Sequence, residues 1–273
     1  MIGNKKIGVG IVTYNRPEGL LNLYNSLPLD VIDELIIVND GDYQTSFEEI
    51  THLVINNEHN LGVGKSKNIA LKHLLSKKCE YLFLLEDDIY IKRRDVFEEY
   101  INISKKTGLQ HLNFSQHGNG NKDENKSPRV NLTAKYDGFE LPLYGYCVGA
   151  FSYYTKSCLD RVGLMDEVYY NALEHVDHTM LVYKAGMHTS FGYFPDIPES
   201  WDYIGDYGWS EEQSTIHSRS DFNNIANEAM KSFVEKHGCQ PIGFMEKDPN
   251  KVIDSLKKIK NKYAKIKLNF GRG

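Results

Sequence analysis

The sequence predicts an α/β fold with a mostly parallel central sheet flanked by helices. Two observations carry this expectation. Short apolar β-rich runs alternate with segments of helical periodicity, and three of those runs end in polar clusters. Such alternation implies βαβ units, because parallel strands need a crossover to pair. In an open parallel sheet, ligands bind beyond the carboxyl ends of the strands. The three polar clusters are therefore expected to converge on one crevice.

Ile7 to Val12 reads as a buried strand, stopped by Thr13-Tyr14-Asn15-Arg16-Pro17. Pro17 and Glu18 suit a first helical turn, and Leu20, Leu21, Tyr24 and Leu27 follow at helical spacing. Glu34 to Val38 predicts a second strand, closed by Asn39-Asp40-Gly41-Asp42, and Leu53 to Asn56 a third. Gly62 to Leu75 predicts a helix entered through a glycine-containing turn. Tyr81 to Leu85 predicts a fourth strand, ending in Glu86-Asp87-Asp88. Beyond it the pattern is less regular. Gln116 to Pro128, rich in Gly, Asn, Lys and Asp, reads as an exposed loop, and Val130 to Tyr154 contains strand-like pieces. Lys156 to Val162 and His175 to Ala185 read as helices, the second with Gly186 at a C-cap position.

With 273 residues and 41% hydrophobic content the chain can bury one sizeable core. No run approaches the roughly 18 apolar residues that span a membrane, and the N-terminus lacks the apolar region of a secretory signal. Cys79, Cys147, Cys158 and Cys239 are scattered without a CxxC pair, so reduced thiols in a cytoplasmic protein are expected rather than zinc ligands or disulfides. The net charge of −5 hides an asymmetry. Residues 251–273 carry eight Lys/Arg against Asp254, leaving the rest with 24 basic and 36 acidic residues, a formal −12. An acidic body argues against a broad nucleic-acid-binding surface. In the basic tail, Val252, Leu256, Ile259, Tyr263 and Ile266 line one helical face. Such a helix either lies on an anionic membrane surface, making the protein peripheral at its inner face, or packs its stripe on the body and leaves the lysines solvated.

Three consecutive carboxylates at a strand end repel one another unless something positive neutralises them. Glu86-Asp87-Asp88 is a solvated turn in the bland reading. A divalent cation bridging two phosphates is the alternative that its strand-end position favours, with oxygen ligands suited to Mg²⁺ or Mn²⁺. Asp40 is either a turn residue in Asn-Asp-Gly or an acceptor for a base or ribose. Asn60-Leu61-Gly62-Val63-Gly64-Lys65-Ser66-Lys67-Asn68 is not a Walker A loop, because His59 stands where its first Gly is required. A helix N-terminus there could still favour an anion.

The order VTYNRPE, IIVNDGD, NNEHNLGVGKSKNIAL, YLFLLEDD resembles the donor-binding half of glycosyltransferase family 2 and its GT-A relatives. The resemblance implies a Rossmann-like GT-A fold over residues 1–245. Residues 1–90 would form the nucleotide-sugar-binding half and 91–245 the acceptor half, with 246–273 a basic tail. It implies a metal-dependent transferase moving a sugar from a nucleotide-sugar, UDP by resemblance, onto a glycan, glycolipid or other hydroxyl acceptor. The donor contacts it implies are Thr13, Tyr14, Asn15, Arg16, Asp40, Lys67, Asn68 and Asp87, with Glu86 and Asp88 on Mn²⁺ or Mg²⁺. Glu86 departs from the usual first Asp. Downstream, Tyr146 to Phe151 and Val162 to Glu167 resemble the family's acceptor-side segment. His217, ahead of a helix that ends at His237-Gly238, falls where many relatives place a late metal-binding His.

Glu174-His175-Val176-Asp177 falls where the family often has Glu-Asp-x-Asp, and inverting relatives commonly use the Asp that His175 replaces as general base. The available carboxylates are Glu174 and Asp177, expected on one helical face at i,i+3; their bland reading is a solvated helix turn. His175 itself reads as a surface or supporting residue. Inversion is weakly favoured over retention. Trp201 and Trp209 lie in a glycine-containing aromatic stretch that either stacks on acceptor sugar or packs under a loop, with Glu211 and Glu212 beside it. Two rival functions remain open: a donor-binding regulatory module without turnover, and a sugar nucleotidyltransferase. The second usually has a Gly-rich, Arg-containing loop after its first strand, which Thr13 to Pro17 lacks.

Overall fold

The computed structural model describes residues 4–117, 119–207 and 219–264. Its centre is a six-stranded sheet in the order β3-β2-β1-β4-β9-β6. β1 (Ile7–Thr13) lies between β2 (Glu34–Asn39) and β4 (Tyr81–Glu86), parallel to both, and β3 (Leu53–Asn56) extends the parallel part beside β2. The register sets Val12 opposite both Val38 and Glu86, so the polar clusters after β1, β2 and β4 emerge side by side. The helices α1 (Pro17–Ser26) and α2 (Val63–Ser76) supply the crossovers that parallel pairing requires. All four strands and both helices lie within a residue or two of where periodicity places them.

The sheet does not stop where the first half ends. β9 (Phe151–Thr155) pairs antiparallel with β4, and β6 (His111–Asn113) pairs antiparallel with β9. The two halves therefore share one sheet. Smaller pieces complete the fold. β5 (Ile89–Ile91) pairs with β11 (Ile204–Asp206), and β7 (Leu132–Tyr136), β8 (Phe139–Tyr144) and β10 (Phe194–Pro195) form a three-stranded sheet. α3 (Val96–Thr107), α4 (Lys156–Val162), α5 (Glu174–Lys184), α6 (Phe222–His237) and α7 (Pro249–Tyr263) are the remaining helices among the described residues.

Alternate residues of each central strand feed opposite faces. Phe83 and Leu85 of β4 join the cluster under α1, α3 and α7, while Leu82 and Leu84 join the one under α2 and α4. On β1 the α2 side is Gly8 and Gly10. A Cβ at Gly10 would lie 2.7 Å from Ala70 Cβ, and one at Gly8 would lie 2.8 Å from Cys79 Sγ. The missing side chains let α2 sit close against β1, which brings its N-terminus to the crevice.

α7 settles how the tail helix packs. Val252, Leu256 and Ile259 are buried in the main core against α3 and β7, so this part of the apolar stripe packs on the protein, while Ile266 lies outside the described residues. Gly108, which ends α3 with φ +79°, accommodates this contact: a Cβ there would meet Ile259 O at 2.7 Å. The described part of the tail thus belongs to the same core as the body. No helix among the described residues is long and apolar enough to cross a membrane.

The expected exposed loop at Gln116 to Pro128 is corrected at its start. Gln116 and Asn121 are buried. Asn121 Nδ2 donates to Ser115 O at 2.6 Å and Tyr146 O at 2.9 Å, and Gln116 donates to the Tyr144 hydroxyl at 3.1 Å. Polar residues are buried there because backbone and hydroxyl partners satisfy them.

Candidate active site

The strand ends enclose a pocket of about 100 Å³ lined by Thr13, Tyr14 and Arg16 after β1, Asp40 after β2, and Asp87 and Asp88 after β4. Arg219 closes one side. A larger cleft of about 400 Å³ adjoins it, sharing Val63, Glu86, Asp88 and Asn171 and reaching His117, Gly149 and His175.

Asp87 is held by Thr13 Oγ1 at 2.6 Å, by the Tyr14 N–H at 3.4 Å and by Arg16 at 3.3 Å. Burial and the neighbouring Asp88 charge outweigh those partners and push its carboxyl up to about 7. Burial alone would raise Asp88 too, but His117 at 3.3 Å and Arg16 at 3.5 Å hold it below the usual carboxylate range. His117 is raised to about 10, because Asp88 and Asp206 overcome the burial that would lower it. Positive side chains therefore already balance part of the acidic cluster.

A cation would find a buried, unpartnered oxygen here. Asp88 Oδ1 is buried without a hydrogen-bond partner. Among the described residues no three His, Cys, Asp or Glu side chains converge to hold a metal ion. The unpartnered Asp88 oxygen is what suits a hard cation, which takes one or two carboxylates from a protein and most of its ligands from phosphate and water. Glu86 is a weaker donor than expected, since Lys67 takes its Oε1 at 2.5 Å. His217 lies outside the described residues, as do Trp209, Glu211 and Glu212.

Several expected donor contacts do other work. Asp40 accepts from the Leu61 and Gly62 N–H groups, each at 2.8 Å, and from Asn57 at 2.7 Å, so it pins the turn that opens α2 while still lining the pocket. Asn15, at φ 53°, accepts from the Asp42 N–H at 2.8 Å and ties the ends of β1 and β2 together. Asn68 is paired with the Met165 backbone in both directions, at 2.9 and 3.0 Å, locking α2 to the chain after α4. Lys67 is fully buried beneath the crevice, between Glu86 and Glu174 Oε1, the latter at 3.0 Å. Burial alone would lower its ammonium, but the two carboxylates raise it well above the usual lysine value.

Glu174 and Asp177 part company. Both are buried in the first turn of α5. Glu174 reaches Lys67 and His175, whereas Asp177 is taken by His237 at 2.6 Å and Lys236 at 2.9 Å of α6 and lines neither pocket. The shared face of the i,i+3 pair is thus an interior one: α6 packs over Asp177 and sequesters it. Trp201 is 38% exposed in a 3₁₀ turn beside β11 and lines neither pocket.

Three residues at the site carried no sequence signal. His117 sits in a segment that reads as loop. Asn171 accepts from the Val63 N–H at 3.0 Å at the start of α2. Arg219 is held by Asp221 at 2.9 Å and packs over the Tyr170 ring, 5.7 Å from its centroid.

The open α/β sheet gathers acidic and basic side chains at its carboxyl edge, the place where Rossmann-like sheets bind ligands. The glycosyl transferase family 2 model matches residues 8–163, more than half the chain, and the chain belongs to that family. Solved structures agree on the fold. The TarS structure of S. aureus aligns over 98% of this chain and 44% of its own, at 17% identity and TM-score 0.54. A 1–349 form of TarS aligns over 96% and 76%, also at 17% and 0.54. GalNAc-T7 with UDP, GalNAc and Mn²⁺ aligns over 95% and 55%, at 13% identity and TM-score 0.55. The chain thus spans about half the length of two of these proteins. Comparison with curated proteins finds no match.

Proposed function

We propose that this protein is a glycosyltransferase that moves a sugar from a nucleotide-sugar, with UDP as nucleotide, onto a hydroxyl-bearing acceptor such as a glycan or glycolipid. The observation that carries the reading is the convergence of Thr13, Arg16, Asp40, Asp87 and Asp88 on one pocket at the ends of β1, β2 and β4. The GalNAc-T7 likeness, whose structure holds UDP and Mn²⁺, supports the choice of ligands.

Arg16 and Arg219 line the pocket as fixed cations for a diphosphate. Mn²⁺ or Mg²⁺, when bound, would offset the charge developing on the departing diphosphate, held by Asp88 with Glu86 and His217 as the further expected ligands. The adjoining cleft receives the acceptor, because it opens onto the same Glu86 and Asp88 edge. Release of nucleotide from a panel of UDP- and GDP-sugars, with Mn²⁺ and with excess EDTA, tests the reading. Cation-dependent UDP release is expected; no release from any donor would contradict turnover.

A further inference from the structure

We propose that His175 is the proton acceptor for the attacking acceptor hydroxyl and that Glu174 is its positioning residue. This deepens the glycosyltransferase reading and rests on it. His175 lines the larger cleft, the one that meets the donor pocket at Glu86 and Asp88. Its side chain is 21% exposed, whereas that of Glu174 is 4% exposed. The imidazole Nδ1 lies 3.0 Å from Glu174 Oε1. A carboxylate there accepts the Nδ1–H and leaves the Nε2 lone pair as the ring's free acceptor. Gly149 backs the ring: a Cβ at that position would lie 3.0 Å from His175 Nδ1 and 3.1 Å from Lys67 Nζ.

The carboxylates expected to do this work are engaged. Lys67 and His175 occupy Glu174 Oε1. Burial alone would raise Glu174, but these two neighbours hold it well below the usual carboxylate range, so it stays charged and orients the ring. Asp177 is sequestered on α6. In the step, the acceptor oxygen bonds to the anomeric carbon as that carbon's bond to the diphosphate oxygen breaks. The bonding pair leaves with the nucleoside diphosphate. The hydroxyl proton passes to Nε2, and the imidazolium so formed faces the Glu174 carboxylate. A single displacement of this kind inverts the anomeric centre.

Two measurements on the full chain test the assignment. Nitrogen NMR of the histidine side chains, with His175 identified by its loss in His175→Gln, should show the proton on Nδ1 and a bare Nε2. That preference should disappear in Glu174→Gln. A proton on Nε2 in the wild type, in either charge state, overturns the pair. With UDP-hexoses, Mn²⁺ and water as acceptor, His175→Gln should lower kcat at least about a hundredfold with donor affinity within about twofold, and free imidazole should partly rescue His175→Ala. Turnover by His175→Gln within about threefold of wild type overturns His175 alone. A wild-type chain that binds no UDP-sugar overturns the donor reading and the base with it, while the tautomer still reports whether the pair exists.

Discussion

Lys67 places a positive charge where no water reaches it, and two carboxylates compensate. Removing one member of a buried ion network leaves an uncompensated charge, which costs about 3–5 kcal/mol. Lys67→Met is therefore expected to lower stability by that order in denaturant titration. Adding Glu174→Gln should recover part of the loss, since the two sites are coupled. Equal losses in the single and double variants would mean that Lys67 acts through packing alone.

A second residue-scale consequence concerns acid. His111, His178 and His188 are buried, and burial lowers each, His188 to about 4. The unfolded chain takes up these protons first, so stability is full above about pH 6.5 and falls as pH drops toward 4. For His188 alone the loss approaches about 3 kcal/mol at roughly 1.4 per pKa unit. The melting temperature should fall over this window, and His188→Leu should flatten the slope. A slope unchanged in that variant would remove His188 as a contributor.

At the scale of elements, α7 shows how an amphipathic helix can be read and its partner left open. Spacing identified the stripe; only the position of α3 and β7 decided what covers it. Leu256 is fully buried, so Leu256→Ala should destabilise the whole chain by about 2–5 kcal/mol. Truncation after Asn250 should lower the melting temperature as well. A truncated protein as stable as the full chain would detach α7 from the core.

The four strands around the crevice and helices α1 and α2 were legible because each combines a strong period with a clear stop: Pro17 at one boundary, Gly62 at another, carboxylates after Leu85. β6, three residues long, carried no such punctuation, whereas α3 had its own stop in Gly108 and went unread. Gln116 and Asn121 sit in a stretch with the composition of a loop, while their burial depends on partners from β8 and the 145–146 turn. The same limit applies at the site. Positions on strand ends could be named from sequence, but not which partners each side chain would choose. Asp40, Asn15 and Asn68 turned inward to backbone groups, and Asp177 to α6.

The whole molecule joins these scales through one sheet. β1 sits between β2 and β4, so the polar ends of all three face one pocket, and β9 carries the second half up against β4. The two pockets consequently meet at Glu86 and Asp88, and on the proposed reading a nucleotide-sugar in the first would face the cleft that His175 lines. Asp88 is the hinge of that account, as the carboxylate that lines both spaces and has a buried oxygen without a hydrogen-bond partner. Calorimetric titration of UDP into wild-type protein and Asp88→Ala, each with Mn²⁺ and with EDTA, tests it most directly. The account predicts Mn²⁺-dependent binding that falls at least about tenfold in Asp88→Ala or in EDTA, a loss of about 1.4 kcal/mol or more. UDP affinity that ignores both the substitution and the cation would contradict it.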